Sequence, residues 1–205
     1  FGSIRFLNHG FYGALVPFFA VLLVGTMIGE EHMVAIFIVS ISTMVCSALW
    51  AQFIEGSEKL LRPFGFYGGV LGAVLGCFIA SIFLNVSFLL IVAATCVAAP
   101  LVQAVGRLRC LIQGCCHGAL CQSNQGIRYY HERSRVVKLA GWKGKFVYPT
   151  PVYSILANMI YGGFLIKLWL NGTQMSMLIG LSFIFNGLSR FTEESYRGEP
   201  QTPIL

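Results

Sequence analysis

Five long stretches of this chain carry no charged side chain, and together they hold enough residues for six crossings of a bilayer. Phe11–Ile28 and Met33–Ile54 give one span each. Pro63–Gly106 holds two, with the turn between them at Asn85–Ser87. Phe146–Ile166 is a fifth span. Leu168–Ser189 is a sixth, with Asn171–Gln174 as the turn before it. Such runs span a hydrocarbon core of about 30 Å only as helices, because an isolated crossing must satisfy its own backbone hydrogen bonds. The runs do not alternate polar and apolar residues, so a β-barrel is excluded. Composition agrees: charged residues make up 11% of the 205-residue chain, against about 25% in soluble domains. The expected fold is an all-α polytopic membrane bundle of about six helices in a single membrane domain, 1–205. Residues 107–147 are expected to form an interfacial arm within it. The chain opens at Phe1 and ends in "RGEPQTPIL", which suggests a longer protein with a further span.

The connections are unequal. Glu30–His32, Asn85–Ser87 and Asn171–Gln174 are short, whereas residues 1–10, Glu55–Arg62, Arg107–Lys145 and the tail from Arg190 hold every Lys and Arg except Lys167. Counting cations alone would make that second side cytoplasmic. The net charge of +6 suits anionic lipid rather than nucleic acid, since no basic stripe lies on a soluble fold. In the third span, "YGGVLGAVLG" sets Gly68, Gly72 and Gly76 at the spacing that lets helices approach closely. Gly68 and Gly69 lie at the helix mouth beside Tyr67, where a ligand can also approach.

Cations at span ends are the strongest chemical signal. Arg107 follows the fourth span. Arg190 ends the sixth, Glu194 falls four residues after it and Arg197 three after that, on one helical face. One reading is an Arg–Glu pair with headgroup snorkelling. The other is a phosphate clamp, because a guanidinium fork matches phosphate oxygens bidentately. In "GRLRCLIQGCCHG", Cys115, Cys116, His117 and Cys121 offer possible zinc ligands, but they are neighbours without a CxxC pair. Packing around a site is the expected role of the cysteines, with no metal. His117 has the chemistry of a base near neutral pH. In "YPTPVY", Pro149 and Pro151 suit a helix mouth and Thr150 a cap. Tyr153 and Tyr12 suit an interfacial aromatic belt or a substrate contact.

These segments, in the order "FYG", "FYGGVLG", "GRLRCLIQGCCHG", "YPTPVYS" and "GLSRFTEESYR", resemble the bacterial prolipoprotein diacylglyceryl transferase family from Tyr12 to about Pro200. The resemblance matches Arg107 and Gly118 to the family's Gly-Arg-x-x-Asn stretch, with Cys110 in place of Asn. Arg190, Glu194 and Arg197 match the second arginine motif. Tyr12–Gly13 matches a Tyr-Gly pair, and Pro149, Thr150 and Tyr153 are kept from a His-Pro-(Thr/Ser)-Gln-Leu-Tyr stretch. Tyr67 stands where the family has a His before Gly68 and Gly69. An unperturbed Tyr, with pKa near 10, is a poor base.

The resemblance implies an enzyme that moves the sn-1,2-diacylglyceryl group of phosphatidylglycerol to the lipobox cysteine of a prolipoprotein and releases glycerol phosphate. It implies no cofactor, a place in the bacterial inner membrane, and an active site on the outer side with the basic segments. Arg107, Arg190, Tyr67 and His117 would be catalytic. Tyr12, Gly68, Gly69, Cys110, Gly118, Tyr153, Glu194 and Arg197 would bind substrate. The Tyr67 and Cys110 departures leave open a related phospholipid-dependent transferase with another acceptor, and a lipid-binding or transport protein stays open beside it.

Overall fold

A computed structural model describes residues 3–4, 9–54 and 64–196. Among them, helices dominate: α1 (His9–Ile28), α2 (Met33–Leu49), α3 (Phe66–Leu84), α4 (Phe88–Gln113), the short α5 (Arg135–Lys138), α6 (Thr150–Leu170) and α7 (Met175–Ser195). Five helical segments, those of α1, α2, α3, α4 and α6, are long and apolar enough to cross a membrane. The chain is thus an all-α, multi-pass membrane protein. The expected sixth span is the 21-residue α7, which has the length but carries Arg190, Glu193 and Glu194 near its end, and it is not among the five. Ile160 and Leu170 are more than three-quarters exposed, the disposition of side chains that face lipid.

The contacts divide the chain into two compact units. One comprises 17–99 and 168–180, the other 1–16, 100–167 and 181–205. In the first, α2 and α3 pack closely along the glycine stripe. A Cβ on Gly72 would come within 2.5 Å of the Ser42 carbonyl oxygen, and one on Gly76 within 2.7 Å of the Val39 Cα. Only glycine permits that approach. Ala35, Val39, Cys77, Ala80 and Ile91 form the buried core of this unit. The last turn of α2 widens into a π-turn over Trp50–Ile54. Past it, Ser47 and Gly65 are tied twice: the Gly65 N–H donates to the Ser47 carbonyl (2.9 Å), and Ser47 Oγ donates to the Gly65 carbonyl (2.7 Å). Between α3 and α4 the expected turn is made by Asn85 in the left-handed region (φ 53°), a conformation that Asn tolerates better than most residues.

The second unit holds the polar end of the chain. Strands β1 (Ser3–Ile4), β2 (Ile127–Tyr129) and β3 (Phe146–Val147) form a small sheet in that order, the first pair parallel and the second antiparallel. Ile127, Tyr129, Val136 and Val147 make a local core against which Leu111 and Trp142 pack. This core seats the end of α4. The Gly114 N–H donates to the Cys110 carbonyl with Gly114 at φ 71°, the left-handed stop expected after a helix. Tyr129 Oη donates to the Leu111 carbonyl (2.7 Å) and Ser134 Oγ to that of Gln113 (3.4 Å). Carbonyls that a helix end leaves without partners are thereby satisfied.

Substituting Gly72→Val should lower the thermal unfolding midpoint in detergent, with a loss of at least about 1–3 kcal/mol from overpacking. Gly163→Ala, where an added Cβ meets nothing within 4 Å, should leave the midpoint unchanged or raise it. Equal effects of the two would mean that α2 and α3 do not depend on close approach.

Candidate functional site

Helix α4 does not end at Gly106, where its uncharged run stops. It continues to Gln113, so Arg107, Arg109 and Cys110 sit on its last two turns. A polar rung lies one turn before Arg107. Gln103 Nε2 donates to Asn186 Oδ1 (2.9 Å), and Asn186 Nδ2 donates to the Ser182 carbonyl (2.8 Å). Gln103 and Asn186 each fall four residues before an arginine, Arg107 on α4 and Arg190 on α7. The rung therefore sets the register in which the two arginines meet.

They meet on one carboxylate. Arg107 Nη2 and Arg190 Nη1 (3.1 Å) both reach Glu193 Oε2, and the Arg107 and Glu193 side chains are each 12% exposed. Two guanidiniums and one carboxylate carry a net charge of +1, in surroundings that shield it little from an incoming anion. Glu193, at i+3 from Arg190, is a functional residue that the sequence reading did not name beside Glu194. The tandem Glu193–Glu194 was the available signal, since i+3 and i+4 both face Arg190. The Glu194 side chain and Arg197 lie outside the described residues.

Gly118 is a junction. Its N–H donates to the Tyr148 carbonyl (3.0 Å), and the next N–H, of Ala119, donates to the Tyr196 carbonyl (3.1 Å). A Cβ at Gly118 would lie 2.5 Å from Tyr148 Cβ and 2.9 Å from the Tyr196 oxygen. Here glycine joins the loop after α4, the entry to α6 and the end of α7. Thr150, expected to cap α6, instead donates its hydroxyl to the Cys116 carbonyl. His117 is 2% exposed and lies edge-on to Trp142. Its Nδ1 is 3.1 Å from the Gly114 carbonyl, which assigns the proton to Nδ1 and the lone pair to Nε2. Nε2 is buried without a hydrogen-bond partner.

Cys110, Cys115 and Cys116 bring their sulfurs within 4.8 Å of one another, whereas Cys121 borders an open cleft with Leu120, Gln122, Gln125 and Tyr148. The Cys115 thiol, whose Sγ donates to the Cys110 carbonyl (3.9 Å), is held well above the ordinary thiol range, first by the neighbouring Cys110 thiol, then by Cys116 and by burial. Tyr12 and Gly13 belong to this unit too, and the Gly13 backbone lies against the Arg109 guanidinium. Tyr153, on the first turn of α6, is about half exposed. Tyr67, Gly68 and Gly69 belong to the other unit. There Tyr67 is 65% exposed beside Trp50. Gly68 abuts Trp50 and the Cys46 carbonyl, so helix packing alone requires it, while Gly69 makes ordinary contact with Ser47. An apolar groove of about 440 Å³, lined by Cys46, Leu49, Trp50, Phe53, Ile54, Gly68 and Leu71, opens at this point.

The sequence profile of prolipoprotein diacylglyceryl transferases matches residues 48–205. The chain belongs to the prolipoprotein diacylglyceryl transferase family. It is similar to phosphatidylglycerol–prolipoprotein diacylglyceryl transferase 2 of Clostridium perfringens (strain 13 / Type A), with 25% identity over 159 residues, covering 76% of this chain and 60% of the relative. A second relative, phosphatidylglycerol–prolipoprotein diacylglyceryl transferase of Clostridium tetani (strain Massachusetts / E88), is 22% identical over 144 residues, 70% of this chain and 55% of the relative. The chain thus spans between half and two-thirds of the length of these relatives.

Gly118→Ala should cost about 1–3 kcal/mol through overpacking and weaken the hold on Tyr196, measurable as a lower unfolding midpoint and faster hydrogen exchange at Ala119. Cys115 has less thiolate at neutral pH than an ordinary cysteine, so its alkylation at pH 8 should be slower than that of free cysteine. The gap should close only as pH rises beyond the ordinary thiol range, near 8.5. Labelling as fast as free cysteine at pH 8 would contradict the clustered setting of Cys115 among Cys110 and Cys116.

Proposed function

We propose that this protein transfers the sn-1,2-diacylglyceryl group of phosphatidylglycerol to the lipobox cysteine thiol of a prolipoprotein, releasing glycerol phosphate. The observation that carries this reading is the Arg107–Glu193–Arg190 trio, a net cation at the ends of two helices in a family of transferases. A phosphodiester supplies the missing negative charge. The bond broken joins a glycerol carbon to the phosphate oxygen, and the leaving phosphate gains negative charge as the thiol attacks. Arginines already fixed by Glu193 stabilise that charge without reorganising, and they hold the carbon in line with the sulfur. Because the nucleophile belongs to the substrate, no internal nucleophile and triad are required.

The thiol proton is assigned to His117. Its bond to Gly114 leaves the Nε2 lone pair as acceptor, whereas Tyr67 serves as a contact at the mouth of α3. In their own unit, Gly68, Gly69 and the neighbouring groove suit an apolar lipid chain; in the arginine-bearing unit, Tyr12, Cys110, Gly118, Tyr153, Glu194 and Arg197 are assigned to substrate binding. The interfacial arm, 107–147, buttresses the arginine-bearing turn of α4. The site faces the outer side of the bacterial inner membrane, and the excess of basic residues on that side reflects arginines kept for anion binding rather than for orientation.

The test uses the protein in nanodiscs with phosphatidylglycerol and a lipobox peptide, and weighs the peptide by mass spectrometry. A diacylglyceryl mass gain is expected, with Arg107→Ala at least about 100-fold slower. Binding of phosphatidylglycerol that depends on Arg107 without any mass gain would instead indicate another acceptor or a binding protein. His117→Gln should lower kcat about 100-fold with little change in KM, and Tyr67→Phe should change kcat little. The reverse pattern would move the base to Tyr67.

A further inference from the structure

Apart from the assignment of Cys110 to substrate binding, the three clustered thiols take no step in the transfer, and packing alone does not explain their arrangement. From the sequence, Cys115, Cys116, His117 and Cys121 looked like the possible ligand group. The fold selects a different one. Helix α4 carries Cys110 on its last turn, Gly114 reverses the chain in the left-handed region, and Cys116 follows at φ 57°. A left-handed conformation disfavours any residue with a Cβ, and such backbone is kept mainly where a site demands it. Here it turns the Cys115–Cys116 pair back onto Cys110, so that all three Sγ atoms lie within 4.8 Å of one another.

We infer that Cys110, Cys115 and Cys116 form a three-sulfur site for a soft, thiophilic metal ion, with Cu(I) as the cation that fits it. In a trigonal thiolate site with metal–sulfur bonds of about 2.3 Å, the sulfurs stand about 4.0 Å apart. The cluster reaches that spacing by contracting less than about 1 Å. Among the described residues no fourth Cys, His, Asp or Glu joins the group, which disfavours the four-coordinate habit of structural zinc. Thiolate ligands select soft ions such as Cu(I). Binding substitutes the cation for thiol protons, which leave to solvent, with no change of oxidation state. Three thiolates and one monovalent cation carry a charge of −2. The Arg107 guanidinium, which lies close to Cys110 and Cys116, offsets part of it. This inference stands on the cysteine geometry and holds whether or not the transferase reading does.

The purified full chain, fully reduced and kept without oxygen, would be titrated with Cu(I) against a competing chelator. The ligand number would then be read by X-ray absorption. One Cu(I) per chain with three sulfur neighbours is expected. Cys115→Ser should leave two sulfurs and weaken binding at least about 10-fold, while Cys121→Ser should change neither. Two sulfurs in the unsubstituted protein would overturn the inference. So would equal affinity for the chain carrying C110S, C115S and C116S together, or an equal loss in Cys121→Ser. If the triple variant does not fold, the sulfur count in the unsubstituted protein decides.

Discussion

In hydrocarbon a backbone has no water to bond with, and every other feature of this protein follows from that constraint. It makes each crossing a helix and leaves unpaired carbonyls only where helices stop. It also pushes polar chemistry to those stops. The end of α4 shows the consequence. Tyr129, Ser134 and Gly114 supply the partners its carbonyls lack, and a small soluble-like core of Ile127, Tyr129, Val136 and Val147 holds those partners in place. The 107–147 segment is thus the device that lets α4 end in a fixed position with two arginines near its tip.

A charged group near that tip is costly unless it is answered. Glu193 answers two arginines at once, so the trio is held together yet keeps a positive charge. Removing Glu193 would leave two guanidiniums repelling each other. Within the trio itself, one acid holds two bases and leaves a positive charge. The uncharged rung of Gln103 and Asn186 extends the same contact one turn deeper at small desolvation cost.

Five of the six expected spans were legible in the sequence because a long charge-free run is a strong signal for a membrane helix. What the sequence hid depended on local backbone turns. Arg107 looked like the end of the fourth span, yet Leu108, Leu111 and Ile112 continue a helix, and nothing in an arginine stops one. Glu193 went unnamed because the tandem Glu193–Glu194 offers an acid at both i+3 and i+4 from Arg190, and spacing alone gave no reason to add the first to the second. The cysteine grouping rested on the left-handed turns at Gly114 and Cys116, which no spacing rule encodes. The strands β1 and β3 are two residues each, too short for any periodicity to register. Gly118 matched a family motif, but its reason, contact with the Tyr148 and Tyr196 backbones, required coordinates.

The double tie between Ser47 and Gly65 bears on how the family can diversify. It closes the connection between α2 and α3 at its base, so the packed glycine stripe does not register what happens beyond it. Doubling the length of a closed loop costs only about 0.6 kcal/mol of chain entropy. The two helices therefore take their register from a tie made at their own ends, and a change in the length of chain between those ends meets a spacing already fixed.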